Sequence, residues 1–409
     1  GHGYLRAPQS IMSYASLACI AIQANQNEMH GGQSVPNFDY SMAPGVAKTY
    51  IKEYYDALAQ SLEVRLGISY ADACAIAKNI KKELPDPTLS NADAFEAELC
   101  KWFTQADDKF GLDGKVLVAA HKNAAETALA STDKATFQAM EALVHNLNTM
   151  NSRAGAQVPF SSINYGTDTS PEGRLVMESI MMATEAGLGN GETPIFPIQI
   201  FKVKEGVSYN PGDPNYDLFK LACKVSAKRL FPNFSFLDAP FNKQYYKEGD
   251  PSTECAYMGC RTRVIANVYD PTREIVNGRG NLSFTSLNLP RLAIKAKGDI
   301  DLFFELLDNT IDICIAQLYD RFKIQSQKKV KNFPFLMGQG IWLDSDKLGP
   351  DDTIEEVIKH GTLTVGFIGL AECLKALVGA HPGESKEAQS LGLEIVGYMR
   401  KRMDEQARK

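Results

Sequence analysis

The sequence predicts an α/β protein, with a largely parallel, helix-covered sheet over residues 151–409 and a mainly helical region over residues 1–150. Two observations predict it. Before residue 150, apolar residues recur at the three-and-four spacing of helices. From Gln157 onward, strand-length segments alternate with helix-length ones, the pattern of parallel strands joined by helical crossovers. Periodicity alone leaves open whether the sheet is open or closed into a barrel. No internal repeat or low-complexity segment interrupts either part.

The elements follow in order. Residues 10–28 read as a helix, with Pro8 near its start and Ile11, Ala15, Ala18, Cys19 and Ile22 on one side. Gly31-Gly32 ends it, and a polar loop leads to a second helix over about 43–66. Three or four more helices follow between 71 and 150, with turns at Pro85-Asp86-Pro87, Gly111-Leu112-Asp113-Gly114 and Ser131-Thr132-Asp133. Beyond them, strands are expected at 158–165, 195–203, 233–237, 257–266, 282–287, 333–336 and 362–368. Helices are expected at 172–185, 216–229, 299–322, 354–360, 371–378 and from 385 to the end.

With 409 residues, 44% hydrophobic and 22% charged, the chain has the balance of a globular protein able to bury a large core. Its net charge of -6 argues against a nucleic-acid surface. There is no signal or transit segment and no apolar stretch of about 18 residues, so neither export nor membrane insertion is expected. Eight cysteines, at 19, 74, 100, 223, 255, 260, 314 and 373, include no CxxC pair. This predicts a reducing cytoplasmic location with neither a disulfide framework nor a zinc site. The six histidines show no metal-ligand spacing, and no metal site is predicted.

Three motifs look functional and fail on context. Gly187-Leu188-Gly189-Asn190-Gly191 follows a helix and precedes a strand, the reverse of a dinucleotide loop, so it reads as an ordinary connection. Gly397-Tyr398 sits inside an amphipathic helix and reads as a helix residue, not a radical-bearing glycine. Lys328-Lys329-Val330-Lys331 could meet phosphates but reads as a solvated face.

The informative stretch is 256–293. It holds Met258-Gly259-Cys260-Arg261-Thr262, then the turn Asn277-Gly278-Arg279-Gly280, which opens on Asn281 and the alternating strand 282–287. A lone cysteine is ordinarily a buried small hydrophobe. Here the surrounding wording resembles anaerobic ribonucleotide reductases, the oxygen-sensitive glycyl-radical class. Ordered matches elsewhere carry the same resemblance: Gly31-Gly32-Gln33-Ser34 with Asn37 and Asp39, Gln157-Val158-Pro159-Phe160, Thr193-Pro194-Ile195-Phe196-Pro197, Asp213-Pro214-Asn215-Tyr216-Asp217, and Val365-Gly366-Phe367-Ile368-Gly369. They run nearly end to end, apart from a divergent stretch at roughly 60–150.

That resemblance implies a ten-stranded α/β barrel of two five-stranded halves around a finger loop, behind a helical dimerisation and effector-binding region. It implies reduction of ribonucleoside triphosphates to deoxyribonucleotides by radical chemistry, with allosteric control by dNTP or ATP. The implied partners are a second copy in a homodimer and an S-adenosylmethionine-dependent iron–sulfur activating enzyme. Cys260 would be the thiol on the lower face of the ribose. Asn281 would hydrogen-bond a ribose hydroxyl or formate, Met258 would pack beside Cys260, and Thr262 would offer a further hydroxyl. Met258 and Asn281 together resemble the formate-using subtype. Lys52, with Arg6 and Gln9 nearby, falls at effector-nucleotide positions, and Arg6 and Gln9 depart from some members. The glycyl radical, the thiyl-forming cysteine and the C-terminal zinc site have no match in this sequence, which reads as the central portion of a longer polypeptide, inactive alone. Two other readings are a different glycyl-radical enzyme, of the formate-lyase or dehydratase type, and a nucleotide-binding scaffold without activity.

Overall fold

The computed structural model describes residues 5–29, 31–110, 113–259 and 262–407. They divide into two compact units. One comprises residues 4–27 with 32–265; the other comprises 28–31 with 266–409. No described helix is long and apolar enough to cross a membrane.

The first unit opens with α1 (Ile11–Asn25), whose first turn is capped by the Ser10 hydroxyl accepting from the Ser13 amide. The short strand β1 (Gln33–Val35) leads into α2 (Phe38–Leu66), closed by Gly67 in the left-handed conformation. Three helices follow: α3 (Tyr70–Glu83), α4 (Ala92–Phe110) and α5 (Gly114–Thr149). The chain then alternates through β2 (Ser161–Tyr165), α6 (Pro171–Ala186), β3 (Ile198–Val203), α7 (Tyr216–Arg229) and β4 (Asn233–Phe236). A single-turn helix α8 (Pro240–Lys243) precedes the hairpin of β5 (Ala256–Met258) and β6 (Thr262–Val264). Strands β1 to β4 form one parallel sheet in sequential order, and the strand–helix alternation predicts its β2 to β4 part.

The helical region does not pack apart from this sheet. Ile11, Phe38, Val46, Met140 and Leu147 share one buried core with Ile163, Tyr165, Ile180 and Phe201. A second core, including Tyr54, Leu62, Ile80, Phe95, Leu99 and Leu117, lies at the other end of α2 and α5. Both long helices span the two cores, so the packing boundary falls at residue 265, not at 150.

The second unit contains β7 (Asn281–Asn288), α9 (Leu289–Ala296), α10 (Ile300–Ser326), α11 (Glu355–Ile358), β8 (Thr362–Ile368), α12 (Leu370–Val378) and α13 (Lys386–Gln406). Strands β7 and β8 pair in parallel. Leu287, Phe303, Ile311, Leu374 and Ile395 are among the residues that form the main core here.

Five expectations are corrected. Helix α2 begins at Phe38 instead of near 43, because Phe38 and Met42 are buried and Pro44, two turns in, removes only one backbone bond. The turn expected at Ser131–Asp133 lies inside α5. Thr132 and Thr136 are fully buried there, and the Thr136 hydroxyl returns to the Thr132 carbonyl at 2.8 Å, so the helix continues through polar residues. The polar loop after Gly32 contains β1, which pairs with β2. The single strand expected at 257–266 is the β5–β6 hairpin, with Gly259 at φ +62 just beyond β5. No strand forms at 333–336. The Phe335 and Leu336 amides donate to the Glu28 carboxylate at 3.1 and 2.7 Å, in place of a strand ladder.

The ten-stranded barrel has no full counterpart among the described residues, whose strands form the four-stranded parallel sheet, the hairpin and the β7–β8 pair. The three context-failed motifs are explained. Gly187 ends α6, and the Leu188–Gly191 turn leads toward β3 with Arg229 donating to the Glu185 and Gly191 carbonyls. Gly397 lies within α13, and Lys331 pairs with Asp351 at 2.6 Å on the surface.

Candidate functional site

The carboxyl ends of β1, β2 and β3 converge on a buried polar network. Asp39, in the first turn of α2, is 1% exposed and takes three backbone donors on one oxygen: the amides of Gly166, Thr167 and Asp168, at 2.8, 3.2 and 3.1 Å. Asn215 takes the opposite side of that turn, donating to the Gly166 and Asp168 carbonyls at 3.0 Å each. Burial pushes the Asp39 carboxyl up, and Lys202 and these amides pull it back. Lys202 is 3.0 Å from Glu254 and donates to Asn37 at 2.6 Å, while the Thr167 hydroxyl donates to Glu254 at 2.9 Å. The motif residues Asn37, Asp39 and Asn215 therefore lock the loops at the strand ends. Lys202 and Glu254 belong to the same lock, and no sequence motif pointed to them.

On this sheet, alternation puts Ser162 and Asn164 on one face of β2, while Ile163 and Tyr165 enter the hydrophobic core. Ser162 and Asn164 hold the segment of β5 that leads to Cys260. Asn164 accepts from the Tyr257 amide at 2.8 Å and donates to the Tyr257 carbonyl at 2.9 Å. The Ser34 hydroxyl donates to the same carbonyl at 2.8 Å, and the Ser162 hydroxyl accepts from the Gly259 amide at 3.0 Å.

Met258 and Thr262, two of the four expected catalytic residues, are directly opposed partners across the β5–β6 hairpin. Opposed residues of an antiparallel pair share one face, so the two side chains lie together. Cys260 lies outside the described residues.

Asn281, the fourth, opens β7 in the second unit, and its register partner is Thr362 of β8. The Thr362 hydroxyl donates to Asn281 Oδ1 at 2.5 Å. That leaves the amide hydrogens of Asn281 to meet an acceptor. The turn before Asn281 is firmly held. The Arg279 guanidinium donates to the carbonyls of Ala266, Ile275 and His360. The Gly278 carbonyl accepts from Leu343 at 2.7 Å, and the Gly280 carbonyl accepts from Thr362 at 3.0 Å. Gly278 has φ +66, and a Cβ there would come within 2.9 Å of the Ile341 carbonyl, so both conformation and space require glycine.

A cleft of about 430 Å3 in the second unit is lined by Tyr269, Arg273, Asp344, Lys347, Glu356 and His360, among others. Its charges are mutually satisfied. Arg273 grips Asp344 with two bonds of 2.8 and 2.7 Å, and His360 meets the same carboxylate at 3.1 Å. The Arg273 bonds hold Asp344 well below the usual carboxylate range. Arg273, His360 and Lys347 together latch the Asp344 carboxylate in place.

Lys52 projects from α2 with 69% of its side chain exposed, 3.7 Å from Glu53. Arg6 and Gln9 are also exposed, ahead of α1. One turn before Lys52 along α2, Lys48 donates to the Pro8 carbonyl at 2.8 Å, so the segment carrying Arg6 and Gln9 is tied to the same helix. Burial pushes the Cys19, Cys255 and Cys373 thiols up to about 11, which keeps them neutral and inert at ordinary pH. No group of metal ligands occurs among the described residues.

Comparison with known proteins adds a family. A family model described as anaerobic ribonucleoside-triphosphate reductase matches residues 1–409. The chain is similar to the anaerobic ribonucleoside-triphosphate reductase of Enterobacteria phage T4, at 34% identity over 391 residues, covering 94% of this chain and 53% of that protein. It is also similar to the Escherichia coli (strain K12) protein of the same name, at 34% identity over 279 residues, covering 67% of this chain and 38% of the relative. The chain thus spans about half, or less, of the length of these relatives. Among solved structures, the Thermotoga maritima anaerobic ribonucleotide reductase with citrate in the active site aligns at TM-score 0.40 and 13% identity, over 83% of this chain and 65% of that one.

Proposed function

Because the chain belongs to the anaerobic ribonucleoside-triphosphate reductase family, we propose that it carries the ribose-binding part of an enzyme that reduces ribonucleoside triphosphates, with formate as reductant. In the overall reaction, the 2′-hydroxyl leaves as water, C2′ gains hydrogen, and formate is oxidised to carbon dioxide. Removing the unactivated hydrogen at C3′ is beyond acid–base groups, and a radical stored on a glycine and passed to a cysteine supplies that step. Cys260 protonates the departing hydroxyl and delivers reducing equivalents from the opposite face. Met258 packs beside the thiol with a polarizable apolar surface, and Thr262 adds a hydroxyl.

The observation that carries this reading is the pairing of Thr362 with Asn281. With its carbonyl oxygen occupied, the carboxamide presents N–H donors, suited to the carboxylate of formate or to a ribose oxygen, and adds no charge of its own. A ten-stranded α/β barrel is the architecture that goes with this reading. Lys52, with Arg6 and Gln9, would meet the triphosphate of a dNTP or ATP effector at a homodimer interface. An S-adenosylmethionine-dependent activating enzyme would install the glycyl radical. Zinc would belong to a C-terminal domain of the intact enzyme.

Isotope-labelled formate tests the chemistry. The reading expects labelled carbon dioxide in equal amount to deoxynucleotide, and loss of both in Asn281→Ala. Deoxynucleotide formation without formate consumption would refute the formate assignment.

A further inference from the structure

Strand β2 carries three buried polar residues where a buried parallel strand ordinarily carries apolar ones, and two of them, Ser162 and Asn164, share one face and are each 0% exposed. Burying a carboxamide away from water is costly unless its groups are paired. Each of these pairings except the cross-strand contacts to β1 is directed at one short stretch of backbone. Asn164 engages Tyr257 as a neighbouring strand would, with its Oδ1 on the amide at 2.8 Å and its Nδ2 on the carbonyl at 2.9 Å. Ser34 donates to that same carbonyl at 2.8 Å and accepts from Asn164 Nδ2 at 3.1 Å. Ser162 holds the next amide but one, that of Gly259, at 3.0 Å. The residues held, Tyr257 and Gly259, flank Met258, which is paired across the hairpin with Thr262.

Beyond these bonds, β6 is tied to the first unit through Arg263, which donates to the Phe241 carbonyl and to Asn242. Strands β5 and β6 are three residues each and pair only with one another. An isolated two-stranded ribbon of that length is unstable in water. On the β5 side its place on the sheet is set by side chains of β1 and β2, through bonds to the backbone of Tyr257 and Gly259.

We infer that Asn164 and Ser162, with Ser34, are positioning residues: they fix the backbone that carries the Cys260 thiol relative to the sheet. The inference rests on the proposed role of Cys260. These residues act through the Tyr257 and Gly259 backbone that leads to Cys260. Misplacement by about 1 Å at a reacting group can lower a rate on the order of 100-fold with no loss of binding.

The test uses Asn164→Leu and Ser162→Ala in the intact enzyme, with four readouts: kcat, KM, the glycyl-radical signal, and hydrogen exchange at the Tyr257 and Gly259 amides. The expected result for Asn164→Leu is faster exchange at Tyr257 and kcat lowered on the order of 100-fold. KM should move by less than about threefold, and the radical should form as in the wild type. Ser162→Ala, which removes one hydroxyl and keeps the fold even if Asn164→Leu does not, should speed exchange at Gly259 and lower kcat about tenfold. Unchanged exchange at both amides would overturn the anchoring. Faster exchange with unchanged kcat would overturn its role in catalysis. Failure of the underlying assignment would look different: Cys260→Ser would turn over normally whatever the exchange rates.

Discussion

Lys202 and Glu254 face each other with Nζ and Oε2 3.0 Å apart, their side chains 1% and 4% exposed. The Lys202 charge also acts on the buried Asp39 carboxyl nearby, pulling it down against burial. The pair is supported on both sides: Lys202 also donates to Asn37, and the Thr167 hydroxyl donates to the same Glu254 oxygen. Removing one partner strands the other. Lys202→Met should therefore destabilise the first unit by about 3–5 kcal/mol, the usual result of leaving a buried charge uncompensated. Urea unfolding checks it. Adding Glu254→Gln to the same chain should recover part of the loss.

Thr362→Val should leave folding intact, since valine matches threonine in shape and suits a strand. It removes the donor to Asn281 Oδ1 and frees the carboxamide to rotate. Turnover in the intact enzyme should fall about tenfold, with Thr362→Ser restoring most of it. Equal kcat for the valine, serine and wild-type forms would mean that Asn281 needs no orienting partner.

The latch in the second unit gives a pH prediction. Arg273 holds the Asp344 carboxyl below its usual range in the folded protein. The stabilisation is therefore present above the unfolded carboxylate pKa of about 3.9 and is lost as pH falls below it. Thermal unfolding followed downward from neutrality should show the second unit weakening below about pH 4. Asp344→Asn should be less stable at neutral pH and show a shallower acid decline.

Lys52 is 69% exposed, so Lys52→Ala should not alter unfolding measurably. As an effector contact, it should weaken dNTP binding about tenfold by calorimetry, the scale of one lost charge-assisted bond. Unchanged affinity would remove Lys52 from the effector site.

Much of this was legible in the sequence because the signals were local. Strand–helix alternation after Gln157 pointed to the parallel pairings of β2 to β4 and of β7 with β8. The misplaced elements have non-local causes. The amides of Phe335 and Leu336 meet a carboxylate some 300 positions away at Glu28, which no window of sequence can show. Thr132 continues a helix because its neighbours bury it, overriding the turn chemistry of Ser131-Thr132-Asp133. At the site, Met258, Thr262 and Asn281 were visible through a motif. Asn164, Ser162, Lys202 and Thr362 were not, because each acts through a partner between 52 and 97 positions away in the chain.

The central claim is that Cys260 supplies the reducing thiol. The direct measurement is electron paramagnetic resonance together with a deoxynucleotide assay on Cys260→Ser in the intact, activated enzyme. The account predicts a glycyl-radical signal equal to that of the wild type and no deoxynucleotide, because a hydroxyl cannot carry the sulfur chemistry. Deoxynucleotide formation by Cys260→Ser at a rate near that of the wild type would contradict it.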